Sequence, residues 1–174
     1  MRASKHNYAN VLQVPIGGIA VASAGQVLST LLGSCVGLVV QDPRRQIAVL
    51  AHVVRPDGIG AGMGPGYFAD QATPRARDLA VQAGADPRDL MVRLAGGGRM
   101  VGGGIDVGAR NAEAIKAATY KLGMAYGGHV DGPADGGCVL FVDPAKGKVI
   151  VRKLNGGKLD DASWSKLVKE ITAA

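Results

Sequence analysis

The chain has 174 residues, 47% of them hydrophobic, which is the length and apolar content of one domain with its own core. Aromatic residues make up only 4% while glycine occurs 27 times, a balance that argues against an aromatic-rich helical bundle and for strands of Val, Leu, Ile and Ala joined by tight turns. The formal charge of +6 gathers into no basic block with interleaved aromatics, no run is long and apolar enough for a membrane helix, and two cysteines are too few for a disulfide framework, so nucleic-acid binding, membrane insertion and a secreted disulfide scaffold are not expected.

In chain order, residues 1–10 read as a flexible tail containing His6, without the apolar core of a secretion signal. Residues 11–22 look like a broken strand pair, turned at Pro15 and at Gly17-Gly18. Strands are expected at Val27–Leu32, Val36–Val40 and Ile47–Val54, the last two joined through the Asp42-Pro43 turn as an antiparallel hairpin. The glycine-rich stretch 57–66 shows no hydrophobic period and reads as a flexible surface loop with the character of a lid. A helical pattern runs from Ala69 to Ala83, with Thr73 expected as N-cap of its regular part and Pro74 in the first turn. Met91–Ala95 reads as a strand, Gly96-Gly97-Gly98 as a bend, and Ala109–Leu122 as a second amphipathic helix closed by Gly123. Strands at Cys138–Val142 and Lys148–Leu154 follow, and residues 155–174 supply a C-terminal helix from about Asp161 to Thr172. A single domain over 1–174, soluble and cytoplasmic, is the resulting expectation.

Two residues stand out chemically. Cys35 lies in Gly33-Ser34-Cys35-Val36-Gly37, where small neighbours leave a thiol accessible and leave the backbone N–H groups of Gly33 and Ser34 available to an oxyanion. His52 interrupts the apolar run Ile47–Val54, and a buried imidazole needs a partner. Taken singly, each is more often a core residue. With the hairpin turn near Arg44-Arg45, however, residues 35 and 52 are about equally far from it and are expected to face each other across the ladder, and a thiol–imidazole pair is a nucleophile with its base. Ser29 or Thr30, one strand upstream, offers a hydroxyl to orient the imidazole. Cys138, flanked by apolar residues, reads as structural, while His129 and Asp131 fall short of the ligands a zinc site needs. The triple glycines at 96–98 and 102–104 lack the Lys-Ser/Thr end of a phosphate loop. Neither a metal nor an organic cofactor is expected.

The run Leu31-Leu32-Gly33-Ser34-Cys35-Val36-Gly37, then Asp42-Pro43, then Ala51-His52 with Pro56, resembles the signature of the chemoreceptor glutamine deamidases, the CheD family. The likeness continues through Tyr67-Phe68-Ala69-Asp70, Gly108-Ala109-Arg110-Asn111 and Phe141-Val142-Asp143-Pro144, over roughly residues 11–154. The resemblance implies an α/β fold, a four-layer α/β/β/α sandwich with mixed sheets related to deamidating toxins. It also implies a Cys–His–Thr site that converts receptor glutamines to glutamates through a thioester, with glutamyl methyl esters hydrolysed by some members. Implied partners are the cytoplasmic helices of methyl-accepting chemoreceptors and a CheC-type phosphatase. The family threonine stands six residues before the cysteine, which is Ser29 here, with Thr30 one place later, so either hydroxyl serves. Gly132-Pro133-Ala134-Asp135-Gly136-Gly137 replaces a family stretch that ends in arginine, and Gly96 to Gly104 lacks its usual counterpart. A binding module that has kept the fold and lost the chemistry, acting on a chemotaxis phosphatase or receptor, is the alternative.

Overall fold

The structure, a computed structural model, describes residues 10–99, 104–134, 136–154 and 159–173. Most of the expected tail, with His6, lies outside them, as do the second triple glycine's first two members and the start of the 155–174 segment.

Among the described residues nine strands and three α-helices follow in the order β1 (Val11–Gln13), β2 (Ile19–Ala22), β3 (Val27–Leu32), β4 (Val36–Asp42), β5 (Ile47–Val53), α1 (Ala69–Gln82), β6 (Met91–Gly96), α2 (Val107–Lys121), β7 (Ala125–Asp131), β8 (Cys138–Asp143), β9 (Lys148–Lys153) and α3 (Asp161–Ala173). They build a four-stranded sheet, β1-β3-β8-β9, and a five-stranded sheet, β2-β5-β4-β6-β7, each with parallel and antiparallel neighbours. Three apolar clusters define the layers. Val36, Leu38, Val49 and Val53 of the five-stranded sheet pack under Ala72, Ala76 and Ala80 of α1 and Ile115 of α2. Leu28, Leu32, Val39, Leu50, Leu140 and Val142 fill the space between the sheets. Phe141 and Val139 meet Val168 and Ile171 of α3 on the outer face of the four-stranded sheet, where Trp164 stacks on Phe141 at 5.5 Å. The two sheets are thus flanked by helices on both outer faces.

Every residue of β4 and β5 is buried, as central strands between two apolar layers require. Their turn is held by the Asp42 carboxylate, which accepts from the backbone N–H of Arg44, Arg45 and Asp86 and from the Arg45 guanidinium at 2.8 Å. The register pairs Asp42 with Ile47, Gly37 with His52 and Val36 with Val53. This corrects the expected facing of residues 35 and 52. Cys35 precedes β4, and its parity puts it on the same face as Gly37 and His52 but one diagonal step along.

Three further expectations change, and one strand is new. The broken pair at 11–22 does not pair with itself, because after the turn at Pro15 β1 joins β3 in one sheet and β2 joins β5 in the other. Helix α1 begins at Ala69 after an extended Phe68, leaving Thr73 and Pro74 inside it. The Thr73 hydroxyl donates to the Ala69 carbonyl at 2.8 Å, and the carbonyl that Pro74 leaves without a donor belongs to Asp70, on the solvent side. The loop 57–66 is tied down rather than free: Gly66 N–H donates to the Gly17 carbonyl at 2.9 Å and Gln71 to the Gly58 carbonyl at 2.7 Å. Strand β7 had no sequence signal, since Gly127 and Gly128 break its alternation; it is an edge strand whose pairing β6 supplies.

Candidate active site

Alternation along β3 decides which hydroxyl reaches the gap between the sheets. Leu28 and Leu32 belong to the inter-sheet cluster and Val27 to the cluster under α3, so Thr30 faces inward and Ser29 faces the α3 side. Thr30 Oγ1 lies 2.8 Å from His52 Nδ1 and donates at 2.8 Å to the carbonyl of Val14. Ser29 Oγ is buried with no hydrogen-bond partner among the described residues.

This pair of contacts assigns the imidazole tautomer. A hydroxyl has one proton, and a carbonyl only accepts, so the Thr30 proton is committed to Val14 and the Thr30 oxygen accepts from Nδ1–H. His52 therefore carries its proton on Nδ1 and its lone pair on Nε2. Burial holds the ring well below its ordinary basicity, at about 4, so it is neutral near pH 7 and able to take a proton there. Burial also pushes the Cys35 thiol up from its ordinary value. Thiol and imidazole are both neutral at rest, and no hydrogen bond joins them.

The backbone around Cys35 is fixed from β6. Gly97 N–H donates to the Cys35 carbonyl at 2.8 Å and Gly98 N–H to the Gly33 carbonyl at 3.1 Å, whereas the N–H groups of Gly33, Ser34 and Cys35 have no backbone acceptor among the described residues. The expected bend at 96–98 is thus a support for the cysteine loop. Its close approach requires glycine: Gly96 has φ +90°, and a Cβ there would lie 2.7 Å from the Cys35 carbonyl oxygen. Gly37, opposite His52, is needed for a different reason, since its Cβ would meet a Leu140 methyl at 2.5 Å.

Two cavities reach this region. One of about 510 Å³, where β1 leaves the edge of β3, is lined by Thr30, His52, Ile16, Leu31 and Trp164. Another of about 360 Å³ is lined by Ser34, Gly98, Ile105 and Val107. Ile16, Leu31 and Ile105 are more than half exposed, which gives the surroundings an apolar rim. Cys138 is fully buried between the sheets. His129 and Asp131 do come together, Nδ1 to Oδ1 at 3.6 Å, but no group of three or more His, Cys, Asp or Glu suited to a metal ion occurs among the described residues.

Sequence reasoning left Ser29 and Thr30 open and missed the Val14 carbonyl and the Gly97 and Gly98 amides. The parity of Thr30 with Leu28 and Leu32 was a signal for the first; backbone donors from a distant strand leave none.

The chain matches the family model CheD, chemotactic sensory transduction, over residues 56–153, a span that starts after His52. It is 37% identical over 147 residues to the "Probable chemoreceptor glutamine deamidase CheD" of Methanococcus maripaludis strain C6, covering 82% of this chain and 95% of that one. It is 34% identical over 147 residues to the "Chemoreceptor glutamine deamidase CheD" of Thermotoga maritima, covering 83% and 93%. Among solved structures, that of the Bacillus licheniformis hypothetical protein YfiH aligns with a TM-score of 0.40 at 10% identity, over 74% of this chain and 61% of that one.

Proposed function

The chain belongs to the CheD family, and from that premise we propose that it is a protein-glutamine deamidase acting on the cytoplasmic helices of methyl-accepting chemoreceptors in chemotaxis adaptation. The observation that carries the reading is the Val14–Thr30–His52 hydrogen-bond chain, which leaves Nε2 as an acceptor on the inter-sheet face that Cys35 shares.

In the proposed reaction Cys35 Sγ attacks the glutamine side-chain carbon as its proton passes to His52 Nε2. The N–H groups of the Gly33–Cys35 turn, free of backbone acceptors among the described residues, stabilise the oxyanion. The C–N bond then breaks, and ammonia leaves with the proton that His52 held. Water, deprotonated by His52, attacks the thioester; the C–S bond breaks and the thiol is restored. The sum is glutamine plus water to glutamate plus ammonia, and the same steps with methanol as leaving group hydrolyse a glutamyl methyl ester. Because thiol and imidazole are both neutral at rest, proton transfer accompanies attack rather than preceding it, and the Cys35–His52 contact tightens when substrate binds. A CheC-type phosphatase is the proposed protein partner.

The test is ammonia release, with the mass change of amide to acid, on a chemoreceptor cytoplasmic fragment by wild type, Cys35→Ala and His52→Ala. Turnover by wild type alone supports the assignment; turnover by Cys35→Ala at the wild-type rate overturns it. The second reading, a binding module without turnover, draws on the raised thiol and the missing Cys35–His52 hydrogen bond. It requires all three proteins to retain the receptor fragment equally and none to release ammonia.

A further inference from the structure

We propose that His129 is a positioning residue for the Cys35 loop, acting through the single peptide group between Gly96 and Gly97; the proposal rests on Cys35 being the nucleophile. His129 lies on edge strand β7, in register with Leu94 of β6, and its side chain is largely buried. His129 Nε2 is 3.1 Å from the Gly96 carbonyl oxygen. A carbonyl only accepts, so Nε2 carries a proton and donates. Gly132 N–H donates to the same oxygen at 2.9 Å. The N–H of that very peptide, on Gly97, donates to the Cys35 carbonyl at 2.8 Å.

A peptide group is planar, so fixing its oxygen by two donors fixes the direction of its N–H. Hydrogen bonds in series also polarise one another, which strengthens the bond that reaches Cys35. Gly96 itself, at φ +90°, has no Cβ with which to resist rotation, and the next peptide repeats the arrangement by holding the Gly33 carbonyl. Two carbonyls of the nucleophile turn, those of Gly33 and Cys35, are therefore held from the bend that follows β6, and β7 holds the end of β6 at that point.

The experiment compares wild type with His129→Phe, which keeps a ring and loses the donor, and His129→Gln, whose amide N–H restores one. Two rates are read: deamidation, and alkylation of Cys35 by iodoacetamide in the free protein with Cys138 as internal reference. In His129→Phe, kcat is expected to fall about tenfold to a hundredfold with KM unchanged, the cost of a misplaced reacting group. Alkylation of Cys35 is expected to speed up as its loop loosens, with Cys138 still protected, and the acid limb of the pH profile is expected to stay in place because His52 is untouched. His129→Gln restores both rates. Wild-type values for both rates in His129→Phe overturn the proposal, as does failure of His129→Gln to restore them. If His129→Phe does not fold, His129→Leu takes its place with the same criteria. A wild type without deamidase activity whose Cys35 alkylation still responds to His129 supports the positioning role and sinks the functional reading instead.

Discussion

Replacing Thr30 with Val tests the tautomer argument directly. The isosteric methyl refills the space of the hydroxyl, so no cavity forms, and only hydrogen bonding changes. Two buried contacts of 2.8 Å are lost, one to the Val14 carbonyl and one from His52 Nδ1. Leaving a buried polar group unpaired costs about 1–3 kcal/mol, so the pair costs about 2–6 kcal/mol, less than the upper range of stability for a single domain. The catalytic loss has a separate origin. With no acceptor at Nδ1, nothing favours the tautomer with a free Nε2, and each 1.4 kcal/mol of lost preference removes about a factor of ten in competent base. We expect Thr30→Val to lower kcat about tenfold to a hundredfold on a receptor fragment, Thr30→Ser to retain most activity, and Ser29→Ala, on the other face of β3, to leave kcat near wild type. Nitrogen-15 NMR of His52 reads the tautomer independently of turnover. Wild-type kcat in Thr30→Val, or a larger loss in Ser29→Ala, refutes the reasoning.

Because burial holds His52 at about 4 against an ordinary value of 6.5, the native state binds fewer protons than the unfolded state between those limits. Stability contributed by the neutral ring is present above pH 6.5 and is lost as pH falls toward 4, by about 3 kcal/mol in all, and urea titrations of wild type against His52→Gln measure it. The acid limb of kcat/KM is expected near 4 as well; a limb at 6.5 contradicts the burial argument. Iodoacetamide at pH 7 is expected to modify the partly exposed Cys35 before the buried Cys138, yet more slowly than a free thiol, with a rate that climbs through the alkaline range; a plateau below neutrality contradicts a protonated resting thiol. Gly37→Ala, with its Cβ set against Leu140, is expected to cost about 1–3 kcal/mol by overpacking and to lower Tm by about 2–4 °C for each kcal/mol, as calorimetry would show; an unchanged Tm means that the inter-sheet space is looser than described.

What residues determine locally was legible in the chain. The apolar runs around Asp42-Pro43 specify a hairpin, the period of Ala72, Ala76 and Ala80 specifies a helix, and a thiol among glycines and an imidazole among aliphatics are chemical anomalies without any fold in hand. Register was not legible to within two residues, because alternation preserves the face under such a slip and only the turn's hydrogen bonds choose among the permitted offsets. The choice between Ser29 and Thr30 depended on which face of β3 meets the second sheet. The support of the Cys35 turn by Gly97, Gly98 and His129 depended on strands more than sixty residues away, whose amides carry no side-chain signature. Side-chain chemistry is a property of the sequence, whereas the partners of backbone groups and the proton position on His52 follow from contacts that exist only once the two sheets are packed together.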